Sequence, residues 1–371
     1  MVNPHNVPYV NFKAQYDEEK NDIHRIVDEV FSAGDFVSGA YVGTLEKSLA
    51  EYINVKEVVV LNSGTDALIY GMRALGIKSG DEVITPPNSF IASTASIIHV
   101  GATPVFVDVL PDQNIDPEKI ERAITHKTKA IMVVHLTGRI CEMDAIKKIA
   151  KKNNLFLIED AAQAIGSRYG DQMAGTFGDF SCFSAHPLKN LNAAGDAGFL
   201  TTANSKIAEA VRQYRMHGLI DRNTALHWGE VSRLDTLQAG ILLYRLKKLP
   251  DLITKRRTLA KYYQQQLSTM DEVYFPPCTE NRFNTFHTFV VQVENRDALQ
   301  KYLLEQNIQT AIHYPIPIHL QPAAEGLRHQ FGDFPVTEKQ AARIISLPIN
   351  QYLNESDVSY VCEKIKSFYV R

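Results

Sequence analysis

The sequence lacks long apolar runs, an excess of basic residues and a leader-like start. No apolar run approaches the roughly 18 residues that a membrane-spanning helix requires, so no membrane span is expected. The net charge is −3, which gives no reason to expect nucleic acid as a partner. Residues 1–5 do not combine a charged segment with an apolar one, so no secretory signal is expected.

Cysteine is scarce, and its spacing argues against both a disulfide-stabilised protein and a zinc protein. Four cysteines lie far apart without a CxxC pair, at Cys141, Cys182, Cys278 and Cys362. We expect free thiols in a reducing compartment, and therefore a cytoplasmic location. Six histidines are candidates for metal ligands, but their spacing along the sequence is not that of a metal site, so we expect none. They are His186, His217, His227, His287, His313 and His319.

The chain has an ordinary globular composition over a considerable length. Of its 371 residues, 45% are apolar and 22% are charged. Apolar segments typical of strands alternate with helical patterns, and the strands are predicted at residues 57–61, 82–85, 105–109, 130–135, 155–158 and 180–183. This rhythm predicts an α/β domain with a mostly parallel sheet flanked by helices, because both faces of such strands are buried.

The pattern changes after about Ser232. A long helical stretch begins near Leu234, and Pro250 is expected to interrupt it. The remaining residues mix helical patterns with strands such as residues 286–293. We predict a large domain over residues 1–250 and a smaller C-terminal α+β domain over residues 251–371.

Three polar groups follow predicted strands, where ligands of open parallel sheets bind. In the first group Gly64 permits close approach of a ligand, and Thr65 opens a helix whose free N–H groups attract a phosphate; an ordinary helix cap is the alternative. The second group contains Asp160, a carboxylate able to hold a ring nitrogen in its protonated form, or to cap a helix or bind a metal. The third contains Ser184 and Lys189, a lysine able to form a Schiff base or simply to lie in solvent.

Together, a phosphate cradle, an acid and a later lysine suit one ligand, the phosphorylated pyridine aldehyde pyridoxal 5'-phosphate. The order of these groups resembles the fold type I pyridoxal-phosphate enzymes, and more closely their DegT/StrS family of sugar aminotransferases. Seven segments carry this resemblance in the same order, at residues 7–16, 63–68, 87–92, 159–164, 184–190, 232–239 and 313–322. They span more than 300 residues of the chain.

The resemblance implies a role for each cofactor-binding residue. Lys189 binds the cofactor covalently and acts as the catalytic lysine, while Asp160 faces the pyridinium nitrogen. Gln163 is placed to hydrogen-bond the ring hydroxyl. The phosphate contacts Gly64, Thr65 and Ser184. Phe90 stacks on the ring, although a phenylalanine at the start of an apolar helix also suits a core position.

Substrate contacts are expected from Arg233 and from the proline-stiffened segment at residues 313–322. His313, Tyr314 and His319 can hydrogen-bond a sugar or a diphosphate, and Arg233 can bind a diphosphate or a carboxylate. The alternative for both histidines is packing between domains. Two positions depart from the family: Val231 replaces the asparagine that reaches the phosphate of the neighbouring subunit, and Leu188 replaces a smaller residue before the lysine.

The resemblance implies transfer of an amino group from L-glutamate to a nucleotide-linked keto sugar, in a homodimer with shared active sites. The segment at residues 313–322 resembles family members that aminate C3 of a 6-deoxy-3-keto hexose, and amination of C4 is the alternative. A second alternative is a sugar dehydratase, but those relatives carry histidine in place of Lys189. A third is a regulatory homologue without catalysis, which the set of Lys189, Asp160 and Ser184 disfavours.

Overall fold

A seven-stranded sheet forms the centre of the computed structural model, which describes residues 5–370. Eleven α-helices lie within these residues: α1 (Phe12–Ala33), α2 (Ala40–Ile53), α3 (Gly64–Ala74), α4 (Ile91–His99), α5 (Pro117–Ala123), α6 (Met143–Lys152), α7 (Ser205–Tyr214), α8 (Thr236–Leu267), α9 (Arg296–Glu305), α10 (Pro335–Arg343) and α11 (Glu355–Tyr369). The strands in the same range are β1 (Glu57–Leu61), β2 (Glu82–Thr85), β3 (Thr103–Phe106), β4 (Thr128–Val134), β5 (Phe156–Asp160), β6 (Arg168–Tyr169), β7 (Gln172–Met173), β8 (Phe180–Ser184), β9 (Gly198–Thr202), β10 (Val273–Tyr274), β11 (Arg282–Phe283), β12 (Phe289–Val293) and β13 (Ile344–Leu347).

The central sheet has the strand order β1-β9-β8-β5-β4-β2-β3. Strand β9 runs antiparallel to both of its neighbours, and the pairs β2–β3, β2–β4, β4–β5 and β5–β8 are parallel. The α/β fold with a mostly parallel sheet, predicted from the alternating pattern, is therefore confirmed.

Alternate residues of the central strands enter two different cores. In β4, Ile131 and Val133 belong to the core that includes α2 and α6, whereas Ala130 and Met132 belong to the core that includes α3 and α7. Because both faces of the strand are covered, its sequence is continuously apolar rather than alternating. Helices pack on both faces of the sheet, and ligands of such sheets bind at the carboxyl ends of the strands.

Helix α8 corrects the prediction that Pro250 interrupts the helical stretch. The helix runs without a break through Pro250, which is exposed. A proline inside a helix costs one hydrogen bond, about 3 kcal/mol. Burial of Leu249 and Ile253 on either side of the proline offsets this cost, since each buried aliphatic side chain contributes roughly 1.5–3 kcal/mol.

The C-terminal part of the chain surrounds a three-stranded sheet with the order β10-β12-β13. Helices α9 and α11 cover it, and their apolar faces form a third core with β12 and β13. Helix α8 contributes Leu249 and Ile253 to the first core and Leu259 and Tyr263 to the third. The division at residue 250 therefore stays a prediction. Over residues 5–370, no helix is long and apolar enough to cross a membrane.

Candidate active site

A cavity of about 420 Å³ lies at the carboxyl ends of three neighbouring strands. Val134 ends β4, Asp160 ends β5 and Ser184 ends β8, and all three residues line the cavity. The first residues of α3 form part of its wall. This is the edge of an open parallel sheet at which ligands bind.

Every predicted cofactor residue lines this one cavity: Gly64, Thr65, Phe90, Asp160, Gln163, Ser184 and Lys189. Of the predicted substrate residues, His313 and Tyr314 also line it. These side chains come from segments more than 200 residues apart in the sequence, so the fold brings the separate motifs to one place.

Lys189 lies in the loop that follows β8. Its backbone N–H donates to the carbonyl of His186 at 2.8 Å, which closes a tight turn before the lysine. Burial lowers the pKa of Lys189 to about 8, although the negative charge of Asp160 opposes this shift. Roughly a tenth of the amine is therefore neutral at pH 7, and a neutral amine is the nucleophilic form.

Asp160 lies at the last position of β5 and is nearly fully buried. Its Oδ2 accepts a hydrogen bond from the hydroxyl of Ser93 at 2.6 Å, and its Oδ1 accepts from the backbone N–H of Ala162 at 3.2 Å. The two bonds fix the orientation of the carboxylate at the cavity edge. A fixed, buried carboxylate is suited to pair with a protonated ring nitrogen.

Glu159 directly precedes Asp160, and its side chain is bound within a separate polar network. The Nε2 of His135 donates to Glu159 Oε2 at 3.0 Å, and the Nδ1 of this imidazole accepts from the N–H of Cys141 at 3.2 Å. Burial raises the pKa of Glu159, but the hydrogen bond from His135 and further donors together lower it below its ordinary value. Those further donors are the hydroxyl of Ser181 and the N–H groups of Gly175, Phe177 and Gly178.

Gln163 connects the loop after β5 to the segment at residues 313–322. Its Oε1 accepts from the N–H of Thr137 at 2.7 Å, and its Nε2 donates to the hydroxyl of Tyr314 at 3.1 Å. The ring of Phe90 lies 5.8 Å from that of Tyr314. Phe90 is 53% exposed, so it is an aromatic wall of the cavity rather than a core residue.

The start of α3 can bind a phosphate. Ser63 caps the helix by accepting from the N–H of Asp66 at 3.1 Å, and the first intrahelical bond is donated by Ala67. The N–H groups of Gly64 and Thr65 precede that bond, so they and the helix dipole favour an anion. A Cβ on Gly64 would lie 3.2 Å from the carbonyl of Phe183, so glycine permits this close contact with β8.

The donor set therefore fits pyridoxal 5'-phosphate. The helix start suits its phosphate, Phe90 suits its ring face, and Gln163 offers an amide to its hydroxyl. Asp160 offers a charge to its nitrogen, and Lys189 offers an amine to its aldehyde. All these groups have the chemistry that the resemblance requires, and they line the same cavity.

Two predicted substrate residues lie outside the cavity lining. His319 is 3% exposed, its Nε2 bonds Glu338 at 3.0 Å, and its ring packs on Phe334 at 4.7 Å. The structure therefore places His319 in a packed position outside the cavity lining, and its substrate role stays a prediction. Arg233 precedes α8 and is half-buried away from the cavity, so its substrate role stays a prediction. Val231 also lies outside the lining and is 48% exposed.

Sequence reasoning did not assign a role to several polar residues that line the cavity. They include Tyr9, His186, Asp196, Arg256, His287 and Thr288. Tyr9 belongs to the first segment that carries the family resemblance, so a signal for it was present. Arg256 lies within the Lys-Arg-Arg run of α8, which looks like a solvated helix face in the sequence. In the described residues, no group of three or more histidine, cysteine, aspartate or glutamate side chains could hold a metal ion.

Comparison with known proteins relates this geometry to characterised relatives. Residues 17–366 match the DegT/DnrJ/EryC1/StrS aminotransferase family. The chain is 41% identical to a pleiotropic regulatory protein of Geobacillus stearothermophilus, over 98% of this chain and 99% of that one. It is 40% identical to the dTDP-3-amino-3,6-dideoxy-alpha-D-galactopyranose transaminase of Aneurinibacillus thermoaerophilus, over 98% of this chain and 99% of that one.

Solved structures share the whole fold. DesV of S. venezuelae, crystallised in complex with a ketimine intermediate, superposes with a TM-score of 0.97 at 35% identity, over 100% of both chains. NtdA of Bacillus subtilis, crystallised with bound cofactor PMP, superposes with a TM-score of 0.92 at 33% identity, over 99% of this chain and 86% of that one. The resemblance and the fold type I architecture are confirmed, and the chain belongs to the DegT/DnrJ/EryC1/StrS family of aminotransferases.

Proposed function

We propose that this aminotransferase uses pyridoxal 5'-phosphate to transfer an amino group from L-glutamate to a nucleotide-linked keto sugar. One observation carries the proposal: Lys189, Asp160 and the start of α3 face the same cavity. These are the amine, the carboxylate and the phosphate site that the cofactor needs. Transamination then converts the donor into a 2-oxo acid and the ketone of the sugar into an amine.

Each residue contributes a separate step or contact. When bound, pyridoxal 5'-phosphate supplies an electron sink for the carbon that loses a proton. The Nζ of Lys189 accepts the proton from the α-carbon of the donor and later delivers a proton to the sugar carbon. Asp160 holds a negative charge opposite the ring nitrogen, and the N–H groups of Gly64 and Thr65 bind the phosphate.

The sugar is proposed to be a 6-deoxyhexose with its ketone at C3. The relative from Aneurinibacillus thermoaerophilus is named for a 3-amino-3,6-dideoxy sugar, which supports this choice. His313 and Tyr314 lie in the cavity wall, and their segment is the one that resembles C3-specific relatives. Amination at C4 is the alternative, because a rotated sugar ring would present that carbon to the same amine.

The substrate proposal is tested with dTDP-linked 3-keto and 4-keto 6-deoxyhexoses. Each sugar is supplied with L-glutamate, the amino sugar is identified by mass spectrometry, and the kcat/KM values are compared. We expect the 3-keto sugar to be preferred. A preference for the 4-keto sugar would contradict the assignment to C3, and elimination of water in place of amination would contradict the aminotransferase reaction. Lys189→Ala serves as the inactive control.

We propose a cytoplasmic homodimer with shared active sites. The segment at residues 219–231 supports the dimer, because it exposes Trp228 at 98%, Leu226 at 58% and Ile220 at 49%. Neighbouring apolar side chains in such exposure mark interaction surfaces. Trp228→Ser should shift sedimentation toward the monomer. Phe331→Ser changes another exposed aromatic residue, with 79% exposure, and should leave the sedimentation unchanged.

The four free cysteines support a location in a reducing compartment.

A further inference from the structure

One wall of the cavity contains polar side-chain atoms that have no hydrogen-bond partner. These atoms are Tyr9 Oη, Arg256 Nε, His287 Nδ1 and Thr288 Oγ1, and all four are buried. Each belongs to a residue that lines the cavity. Buried polar atoms are ordinarily paired, because an unpaired one costs about 1–3 kcal/mol. Residues of this kind beside one cavity can supply hydrogen-bond partners to a polar ligand.

The charge on this wall is positive. Arg256 is 7% exposed, and its hydrogen bonds are made by Nη1, which donates to the carbonyls of Phe286 and His287 at 3.2 and 3.1 Å. Among the described residues it has no carboxylate within ion-pair distance. Burial lowers the pKa of Arg256 to about 10, which still leaves the guanidinium charged at neutral pH. A buried cation without a counter-ion favours an anionic ligand.

The wall lies beside the reacting amine. His287 lines the cavity together with Lys189 and Arg256. Burial lowers the pKa of His287, and the charges of Lys189 and Arg256 lower it further, which favours the neutral imidazole. Lys189 and Arg256 also line a second, smaller pocket together. In an α-amino acid the carboxylate and the amine share one carbon, so a carboxylate site must adjoin the lysine. The diphosphate of a nucleotide sugar is attached to C1, farther from a reacting C3.

We propose that Arg256, with the hydroxyls of Tyr9 and Thr288, binds the α-carboxylate of the amino donor. The hydroxyl groups of Thr288 and Tyr9 donate hydrogen bonds to the carboxylate, and the guanidinium supplies the positive charge. His287 offers its imidazole N–H at the same wall. The proposal rests on the proposed function in one respect, namely that the amine comes from an α-amino acid.

The donor half of the reaction tests this site without any sugar. Enzyme in the pyridoxal form is mixed with L-glutamate, and conversion to the pyridoxamine form is followed by absorbance. Arg256→Gln should raise the half-saturating glutamate concentration by about 10-fold to 150-fold, the value of a lost charge-assisted bond. The reverse half, measured from the pyridoxamine form with the keto sugar, should change less than about 3-fold. A loss in the sugar half alone would assign Arg256 to the diphosphate and overturn the proposal.

Arg257→Gln is the matched control. Arg257 also donates to a backbone carbonyl of the same segment, that of Asn284 at 2.7 Å, but it does not line the cavity. It therefore reproduces any structural effect of losing an arginine without removing the binding group. We expect unchanged glutamate saturation in this variant. Equal losses in both arginine variants would mean that α8 arginines act only by supporting the segment.

Two conservative variants keep the test decisive if Arg256→Gln does not fold. Tyr9→Phe and Thr288→Val each remove a hydroxyl that makes no internal hydrogen bond, so the melting temperature should stay the same or rise. Glutamate binding should nevertheless weaken several-fold. Weakened glutamate binding without loss of stability is the signature of a ligand site, whereas unchanged glutamate binding in both variants would overturn the proposal.

The choice of donor separates the α-carboxylate from the side-chain carboxylate. L-Glutamine keeps the α-carboxylate and lacks the second charge, so Arg256→Gln should weaken it as much as L-glutamate. γ-Aminobutyrate has no carboxylate on the carbon that bears its amine, so its reaction should change little. A defect with glutamate but not with glutamine would overturn the assignment to the α-carboxylate. Failure of every keto sugar, with this donor pattern intact, would contradict the proposed substrate alone.

Discussion

The hydroxyl of Ser93 lies 2.6 Å from Oδ2 of Asp160 and donates a hydrogen bond to it. Ser93 is fully buried in the first turn of α4, while Asp160 ends β5. The bond therefore connects the helix that begins after Phe90 to the carboxylate proposed to face the ring nitrogen. The aromatic wall and the acid of the site are fixed relative to one another by this contact.

Replacing Asp160 by asparagine should slow turnover by orders of magnitude. The amide retains the shape of the side chain but not the charge that keeps the ring nitrogen protonated. Loss of a preorganised electrostatic group costs roughly 10²–10³ in kcat. Ser93→Ala removes only the orienting bond and should have a clearly smaller effect. Steady-state kinetics of both variants provide the check, and near-normal turnover of Asp160→Asn would show that another group fills this role.

Lys189 should carry the cofactor covalently. The isolated protein should be yellow, and reduction with borohydride should attach the cofactor to a peptide that contains Lys189. Mass spectrometry of the digest identifies the lysine. Lys189→Ala should abolish turnover while changing the melting temperature little, because its substitution is confined to the cavity wall. Labelling of another lysine would refute the assignment.

Attachment of the cofactor to the cofactor-free protein should depend on pH. Burial lowers the pKa of Lys189 to about 8, and only the neutral amine attacks an aldehyde. The rate should therefore rise about tenfold per pH unit below this value and level off above it. Stopped-flow absorbance from pH 6 to pH 9.5 measures the profile. A rate that still rises steeply above pH 9 would show an ordinary, solvated lysine.

The sequence was sufficient to predict the mostly parallel sheet, because that depends on local patterns, whereas the roles of the cofactor residues were implied by the family resemblance. Strands β1 and β2 have the predicted bounds. Motifs at strand ends meet because parallel strands end on one edge. The assignment of Asp160 rather than Glu159 to the ring depended on resemblance, and strand geometry explains it, since adjacent residues of a strand point to opposite faces.

Tertiary packing determines three features that local sequence patterns do not predict: the continuity of α8, the position of His319 and the burial of Arg256. Pro250 breaks an isolated helix, yet α8 continues because the cores on either side hold it. His319 lies in a segment that otherwise reaches the cavity, but Glu338 and Phe334 bind it elsewhere. Arg256 is buried only because α8 crosses between two cores, and no local pattern distinguishes it from the neighbouring Arg257.

Gly198→Ala should destabilise the protein and weaken cofactor retention. A Cβ at this position would lie 2.3 Å from the backbone N of Gly64 and from the carbonyl carbon of Ser63. Both atoms are backbone at the start of α3, so relief requires a shift of the proposed phosphate site itself. Gly43→Ala is the control, because nothing lies within 4 Å of its added Cβ, and it should stabilise α2 by up to about 1 kcal/mol.

Melting temperatures and cofactor release during dialysis measure both effects. The melting temperature of Gly198→Ala should fall by several degrees, and that of Gly43→Ala should rise slightly. Release of pyridoxal 5'-phosphate should accelerate only in Gly198→Ala. If cofactor retention were unchanged in a destabilised Gly198→Ala protein, the start of α3 would not be the phosphate site.

Glu159→Gln should remove a pH-dependent part of the stability. Glu159 is fully buried and accepts five hydrogen bonds in its charged form, which lowers its pKa below its ordinary value of 4.5. A carboxyl with a lowered folded pKa stabilises the protein above its unfolded pKa. That contribution is lost as the pH falls through the folded pKa. A glutamine cannot accept all five bonds, since its NH₂ group faces donors, so a loss on the order of 3 kcal/mol is expected at pH 7.

The pH dependence of this stability loss distinguishes a contribution from the charged carboxylate from a contribution of packing alone. The difference in unfolding free energy between the wild type and Glu159→Gln should be largest at pH 6–7 and should shrink as the pH falls below about 4.5. Urea denaturation at a series of pH values measures it. Glu121→Gln, which removes an exposed ion pair with Lys152, should change stability by less than about 1 kcal/mol throughout. A difference for Glu159→Gln that stays constant from pH 7 to pH 3.5 would mean that Glu159 has the same pKa in the folded and the unfolded protein, and a difference that grows as the pH falls would mean that the carboxyl is protonated in the folded protein. Either result would contradict the lowered pKa of Glu159.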